Sequence, residues 1–517
     1  KTNILKGPAG FGKTLTGLLS WIDSGNRKLI WVCPRNQVAE SLYKSVLEEL
    51  KAIGLEDASV QLFLTGKIQE SHNCKNNESF TSDIVITNID NFLTPTINNY
   101  VRIRMYSMLS NYVIFDEFHE LVASEPYFAC FVNIMQTRHR LTNSKTLLMS
   151  ATPSLISHLW DTPSNKTGIL PDEKHHYNAA HSKKFKINLI SNINNITPKK
   201  NHLFITNAIS SSQKETIDKN YSLLIHSKFT DTDRKKLVQE VYELYGKNKP
   251  LELKKDVISA PLIQAAMDIS FGEITEILKS AEDSFQRLGR NNRWGEYDCV
   301  NFNIIVDVKN KNIKKRELNA IKTTYNIELS NLWSDFLKNN IIKDNEYILD
   351  ELYKIYNNFN IKHKSEIEQY VNRMYMQSIT SLSKLYPKKY INKKDSSETK
   401  ANVSKLRDNG SNKIYCIYPI FNSDEFTDPF NIDDNSSDMD DKEDNTTQNN
   451  QLRVVKKLLK DERFEYNEYS LYKKGEKFTS RKLMAGAKNI KTPYICFHKT
   501  YHPKFGLTDN KILKSLN

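Results

Sequence analysis

The sequence predicts an α/β protein of two tandem parallel sheets, followed by a helical connector and a small C-terminal domain. Three observations carry this expectation. Apolar strands alternate with amphipathic helical stretches through residues 1–190, and the alternation returns through 191–310. A glycine-rich loop stands between an apolar strand and a helix at the very start. The length, 517 residues, is too great for one hydrophobic core.

In the first segment the strands are Lys28–Cys33 (KLIWVC), Asp83–Thr87 (DIVIT), Tyr112–Phe115 (YVIF) and Thr146–Met149 (TLLM). Short continuous apolar runs of this kind suit strands buried on both faces, and stretches such as Gln37–Ile53 supply the covering helices. In the second segment the corresponding runs are His202–Thr206, Ser222–His226, Asp256–Ala260 and Asn303–Val306. Residues 311–422 are polar and rich in Lys, Asn and Tyr, and read as a helical connector. Residues 423–450 read as a disordered acidic loop: Asp424–Asp444 holds ten acids against one lysine and too little apolar surface to fold. Residues 451–517 reverse the sign, with sixteen Lys/Arg against six Asp/Glu. Tyr466, Tyr469, Tyr472, Phe478 and Tyr494 are interleaved with those bases, which suits a nucleic-acid surface or a small α/β cap with a solvated lysine face.

Hydrophobic residues at 39% and charged residues at 26% are ordinary for a soluble folded chain. The net charge of +13 favours a polyanionic partner, although Lys- and Asn-rich codon usage would also raise it. Six scattered cysteines (Cys33, Cys74, Cys130, Cys299, Cys416, Cys496) form no CxxC pair, which argues against a zinc module or a disulfide framework and fits a reducing, cytoplasmic setting. No run of about 18 apolar residues occurs, so no membrane span is expected. The chain opens on Lys1 rather than Met, just before the glycine-rich loop, which suggests residues upstream.

That loop, Gly7-Pro8-Ala9-Gly10-Phe11-Gly12-Lys13-Thr14, fits G-x-x-x-x-G-K-[ST] at every fixed position. Gly7, Gly10 and Gly12 let the backbone curl so that its N–H groups face phosphate oxygens at a helix N-terminus. Lys13 would reach the β/γ-phosphates and the Thr14 hydroxyl would hold Mg²⁺, so ATP and Mg²⁺ are the expected cofactors. An ordinary glycine-rich turn would not need the strand Ile4–Leu5 before it and the helix Thr16–Trp21 after it. Tyr112–Phe115 runs directly into Asp116-Glu117-Phe118-His119. Asp116 is the candidate metal ligand and Glu117 the candidate base that polarises the attacking water. Ser150 and Thr152 follow the next strand, where their hydroxyls can bond His119 and couple the ATP site to movement. In Gln286-Arg287-Leu288-Gly289-Arg290-Asn291-Asn292-Arg293, arginines three apart would share a helix face. Arg290 and Arg293 are then arginine fingers, with Gln286 sensing ATP or orienting water; a basic helix lying on DNA is the other reading.

Loop, acid box, Ser-Ala-Thr and Q-R-x-G-R-x-x-R appear in the order of the superfamily 2 helicases, which implies that both lobes are RecA-like. The chain also resembles a narrower family, the CRISPR-associated helicase–nucleases of type I systems. Leu224-Ile225-His226-Ser227-Lys228-Phe229, followed by Asp233-Arg234, is similar to that family's L-H-S-[RK]-F…D-R segment. Gln286–Gly295 is similar to its Q-R-x-G-R-x-N-R-x-G, with Asn292 in place of the glycine usual in other helicases. Tyr501–Leu507 is similar to its Y-x-P-x-x-G-L element. The resemblance implies that Pro34, Arg35, Thr87 and Asn88 in the first lobe, and Thr206, Asn207 and Gln264 in the second, grip a sugar-phosphate backbone, and it sets Asp268 with the nucleotide. Ala260–Asp268 departs from the T-Q-x-x-E pattern of many members: Gln264 remains, and the Thr and Glu are lost.

The family's nuclease is an HD domain, and this chain has no His-Asp dipeptide. His175, His176 and His181 read as loop histidines, so the HD nuclease is expected upstream of Lys1 or on a separate chain. The resemblance further implies a translocase on single-stranded DNA, closing its lobes on ATP and recruited by an RNA-guided surveillance complex. A general superfamily 2 DNA or RNA helicase, or an idle ATP-binding clamp, stands as the alternative. Intact Lys13, Thr14, Asp116, Glu117, Arg290 and Arg293 argue against the clamp.

Overall fold

The computed structural model describes residues 2–7, 12–64, 67–74, 80–97, 102–121, 125–141, 144–152, 173–176, 183–191, 196, 199–247, 249, 255–263, 267–308, 311–385, 413–419, 464–470, 480–482, 494–496 and 499–513. The chain divides into two compact units, one of residues 1–195, 245–249 and 263–409, the other of 196–244, 250–262 and 410–517.

The first unit is built on eight strands: β1 (Thr2–Lys6), β2 (Leu29–Cys33), β3 (Val60–Leu64), β4 (Lys67–His72), β5 (Ile84–Asn88), β6 (Tyr112–Asp116), β7 (Thr146–Ser150) and β8 (Glu173–His176). They lie in the order β4-β3-β5-β2-β6-β7-β1-β8, parallel except for β4. Every residue of β2, β3, β5 and β7 is buried, which is why β2, β5 and β7 read as apolar runs, whereas β3 carries the buried polar Gln61. Strands β5, β6 and β7 extend one residue beyond the apolar run, bringing Asn88, Asp116 and Ser150 into the ladder at its carboxyl edge. Register places Lys6 opposite Ser150 and Asp116 opposite Met149, so the chemistry-bearing tips share that edge.

Helices α1 (Lys13–Asp23), α2 (Asn36–Ala52), α3 (Ile89–Ile97), α4 (Arg102–Ser110) and α5 (Glu125–Arg140) accompany this sheet. Gly17 lets α1 lie directly on the core: a Cβ there would stand 2.7 Å from the Trp31 ring. His175 and His176 are not loop residues. They sit on edge strand β8, in register with Leu5 and Lys6; His181 lies outside the described residues.

The same unit holds a second parallel group of β13 (Glu273–Ile277), β14 (Cys299–Ile305) and β9 (Lys184–Ile190), with β15 (Glu346–Ile348) antiparallel to β9. In the second unit, β10 (His202–Ile205), β11 (Leu223–Ile225) and β12 (Val257–Ser259) run parallel in the order β11-β12-β10, beside α6 (Ile209–Lys219) and α7 (Asp231–Tyr245). Helix α8 (Ala281–Leu288) follows β13 and is capped by Ser280, whose Oγ accepts from the Asp283 N–H at 3.0 Å.

The connector is helical through α9 (Lys311–Thr324), α10 (Ile327–Asn340), α11 (Leu349–Lys362) and α12 (Lys364–Leu385). Helix α12 lies on α5, where the Ala129 N–H donates to Ser378 Oγ at 2.6 Å and Phe128 meets Tyr375 edge-on at 5.7 Å. The acidic stretch 424–444 lies outside the described residues, as do Tyr472 and Phe478. Beyond it, β16 (Lys413–Pro419), β17 (Phe464–Ser470), β18 (Ser480–Lys482) and β19 (Tyr494–Cys496) form a small sheet in the order β17-β16-β19-β18. Tyr466 and Tyr469 lie on β17 and Tyr494 on β19.

The chain then makes a hairpin, β20 (Lys499–His502) and β21 (Gly506–Asp509), which docks within the second unit. Gln213 Nε2 donates to the Phe505 and Leu507 carbonyls, both at 2.9 Å. His226 Nε2 donates to the Phe505 carbonyl at 3.0 Å while its Nδ1 accepts from the Lys228 N–H at 3.1 Å. Burial pushes the His226 imidazole down to about 3, so it serves as a neutral linker. Tyr501 donates to Asp233, closing the joint on the far side. Gly506 has φ +65°, and a Cβ there would meet His226 Cε1 at 2.7 Å and the Lys228 carbonyl at 3.0 Å. Gly506→Ala should therefore combine left-handed strain of ~1–2 kcal/mol with a clash. Faster hydrogen exchange over 499–513 is the expected result; unchanged protection would count against the joint.

Candidate nucleotide site

The site is assembled at the carboxyl edge of the eight-stranded sheet, wholly within the first unit. Gly7 leaves β1 with its N–H bound to the Ser150 carbonyl at 3.2 Å. Gly12, at φ +66°, turns the chain into α1. That helix has no side-chain cap and no acid in its first turn, so its positive end is left to an anion. Thr14 stands on the first turn; Gly10 lies outside the described residues.

Lys13 Nζ reaches Glu117 Oε1 at 2.6 Å, with the two side chains 15% and 28% exposed. Glu117 sits just past β6 at φ 44°, a left-handed conformation rare for glutamate, and its N–H donates to Asp116 Oδ1 at 3.0 Å. His119 Nδ1 lies 2.7 Å from Ser150 Oγ and 3.4 Å from Glu117 Oε2. Ser150 Oγ also accepts from the Thr152 N–H at 3.0 Å. On the opposite edge of the imidazole, Gln286 Nε2 meets His119 Nε2. The imidazole is thereby held on both edges, by Ser150 and by Gln286. Acid box, Ser-Ala-Thr segment and α8 thus form one hydrogen-bonded chain.

The two adjacent carboxyls are driven apart. Burial, then the charge of Glu117, raise Asp116, with Lys13 opposing. Burial would also raise Glu117, but Lys13 and His119, helped by Arg290, outweigh it and hold that carboxyl well below its ordinary range. Glu117 is the ionised member of the pair.

The arginines divide differently from the shared helix face expected of them. Helix α8 ends at Leu288, so Arg290 and Arg293 lie in the turn beyond it. Arg287 is fully buried against Glu276, Nη1 to Oε2 at 2.9 Å, and is an architectural residue. Arg290 is 8% exposed and contributes to the field on Glu117, whereas Arg293 pairs with Asp268. Asn292 has φ 50°, a left-handed conformation that asparagine tolerates and that explains its standing where glycine is usual. Its amide holds both backbone groups of Tyr297.

The backbone-gripping candidates are polar strand tips, and most have internal partners. Arg35, at the head of α2, donates from Nε to Glu120 Oε2 at 3.0 Å; Pro34 precedes it. Thr87 donates to the Phe63 carbonyl at 2.8 Å, and Asn88 bonds Asn36 and the Asn91 N–H. In the second unit, Thr206 Oγ1 donates to the Ala208 carbonyl at 3.0 Å beside Asn207. Gln264 lies outside the described residues.

The donor set fits a nucleotide: an uncapped helix end, an ammonium and an ionised carboxylate converge. Among the described residues no cluster of three or more His, Cys, Asp or Glu could hold a metal alone. A magnesium ion brought with phosphates needs less, and Thr14 and Asp116 would hold it alongside phosphate oxygens and water.

Two family models match the chain: the DEAD/DEAH box helicase model over residues 1–158, and the model of the C-terminal part of the CRISPR-associated nuclease/helicase Cas3 over 198–296. No curated protein matches it. Solved structures do. Cas3 of T. fusca superposes with a TM-score of 0.57 at 12% identity, covering 80% of this chain and 57% of that one. Its AMPPNP complex gives 0.54 at 12%, with coverage of 80% and 57%. A further CRISPR-associated protein gives 0.54 at 12%, with coverage of 81% and 57%. The chain therefore spans a little over half the length of these structures. Tandem RecA-like lobes and the order of motifs make it a superfamily 2 helicase. Within that class its likeness is to Cas3, through the model matched over residues 198–296 and through the fold. Among the described residues no helix is long and apolar enough to cross a membrane.

Proposed function

We propose that this chain is an ATP-dependent translocase on single-stranded DNA in type I CRISPR interference, recruited by an RNA-guided surveillance complex. On this reading an HD nuclease domain, in another part of the protein or on a separate chain, does the cutting. The observation that carries the motor reading is the continuous path Lys13–Glu117–His119–Gln286, which ties a phosphate-loop lysine to the arginine-bearing segment. Magnesium, when bound with ATP, would neutralise phosphate charge and orient the scissile bond.

The residues of the chain do the rest. Lys13 holds Glu117 in a tight ion pair, and exchanging that partner for a phosphate oxygen leaves the carboxylate to take a proton from water. His119 keeps Glu117 and Ser150 in register, and Gln286 reports the state of that imidazole to the arginine segment. Arg35 links strand and site: a DNA phosphate competing with Glu120 for its guanidinium would act on the turn that carries His119.

ATP turnover should rise when single-stranded DNA is added. Lys13→Ala should lose ~100-fold or more of it, as when one preorganised charge-stabilising donor is removed. Turnover indifferent to DNA would overturn the motor reading, and none at all would favour an ATP-binding clamp. For the CRISPR role, a surveillance complex bearing an R-loop should retain the chain on a pull-down. Failure to do so would leave a general helicase.

A further inference from the structure

One face of α11 touches both the strand that leads into the phosphate loop and the helix that carries Gln286. Lys6, the last residue of β1, donates from Nζ to Asn357 Oδ1 at 2.8 Å. Its ammonium also lies 5.5 Å from the Tyr353 ring centre and 5.7 Å from that of Tyr356. Positions 353, 356 and 357 are spaced i, i+3 and i+4, so they share a helix face. On the other side that face meets α8: Phe285 packs on both tyrosine rings at 4.9 Å, and the Tyr356 hydroxyl donates to Glu282 Oε1 at 3.2 Å. Glu282 precedes Gln286 by one helical turn. Tyr356 is fully buried, and Tyr353 lies within electrostatic reach of Glu117.

An apolar helix that merely filled space would need none of the polar contacts. Burial lowers the Lys6 ammonium to about 8 and raises the Glu282 carboxyl to about 7, so both groups are held where solvent alone would not place them. Directional bonds from such groups fix the register of a helix in a way that Leu352, also buried on α11, does not.

We propose that α11 is a strut which sets α8, and with it Gln286, against the phosphate-loop strand, with Lys6, Tyr353, Tyr356 and Glu282 as positioning residues. This rests on the nucleotide-site reading above and gives the helical connector a part in ATP turnover.

The test compares wild type with Lys6→Met, Tyr353→Leu and Tyr353→Phe in the full chain. Without nucleotide, hydrogen exchange over 281–288 should quicken ~10-fold in the first two variants, while α2 keeps its protection. With ATP and DNA, kcat should fall ~10-fold and KM should stay within ~2-fold, the pattern of misplacement rather than lost binding. Tyr353→Phe, which keeps the ring face, should restore both readouts. Unchanged exchange over α8, equal loss of protection in α2, or no rescue by phenylalanine would each overturn the strut. A wild type without ATPase would remove the motor reading, while the exchange comparison would still decide the strut.

Discussion

Replacing Glu117 by glutamine should leave nucleotide binding intact and lower ATP turnover by about 10²–10⁴-fold, the usual loss when a positioned general base is removed. The expectation follows from the division of charge between the two box acids. Burial raises Asp116, whereas Glu117 is held low against its own burial, chiefly by Lys13, and a neutral amide there ends that pairing. At 117 it removes the ionised carboxylate that faces Lys13. Phosphate release under saturating ATP measures the loss, and a fluorescent non-hydrolysable analogue measures binding. Turnover within a few-fold of wild type would mean that the water is activated elsewhere, and a parallel loss of binding would make Glu117 a structural partner of Lys13.

Arg287→Met is the second large effect. Arg287 and Glu276 are both inaccessible to solvent, and Ser284 Oγ donates to the same carboxylate at 2.5 Å. Removing the arginine alone strands a buried charge, a change that costs about 3–5 kcal/mol. Paired Arg287→Met and Glu276→Leu should recover most of it, because two apolar groups leave nothing unsatisfied. Burial already raises Glu276, with Arg287 opposing. Without the arginine it rises further, so the folded state binds its proton more readily than the unfolded chain. The deficit of the single variant should then shrink as pH is lowered. Urea unfolding followed by the loss of protection in β13 and α8 measures all three, and a single variant as stable as wild type would show that the site relaxes.

The sheet was legible where burial on both faces left apolar runs, as in β2, β5, β6 and β7. It was not legible where burial is one-sided or polar. Strand β4 is an edge with mostly exposed side chains. Strand β13 (EITEI) carries the carboxylate that Arg287 neutralises, so its sequence looks like surface. The arginines were read on one helix because three-residue spacing suits a helix, but Gly289 ends it first. Lys13, Asp116, Glu117 and His119 could be named together because strand ends in a parallel sheet share an edge, and Gln286, within a helix, was named by its motif. The partners of Lys6 could not: Asn357 lies 351 residues away, and nothing local to a tyrosine-rich helix announces which ammonium it will face.

The hairpin joint bears on the order in which the chain matures during synthesis. Gln213 and His226 are buried, and the groups that satisfy them belong to residues 505–508. Until those residues leave the ribosome, two polar side chains in the second unit lack their native partners, each at a cost of about 1–3 kcal/mol. The first unit's eight-stranded sheet needs nothing beyond residue 176 and can form early. The second unit waits for residues 505–508, and a polypeptide released before them would carry a complete eight-stranded sheet while Gln213 and His226 still lacked those carbonyls.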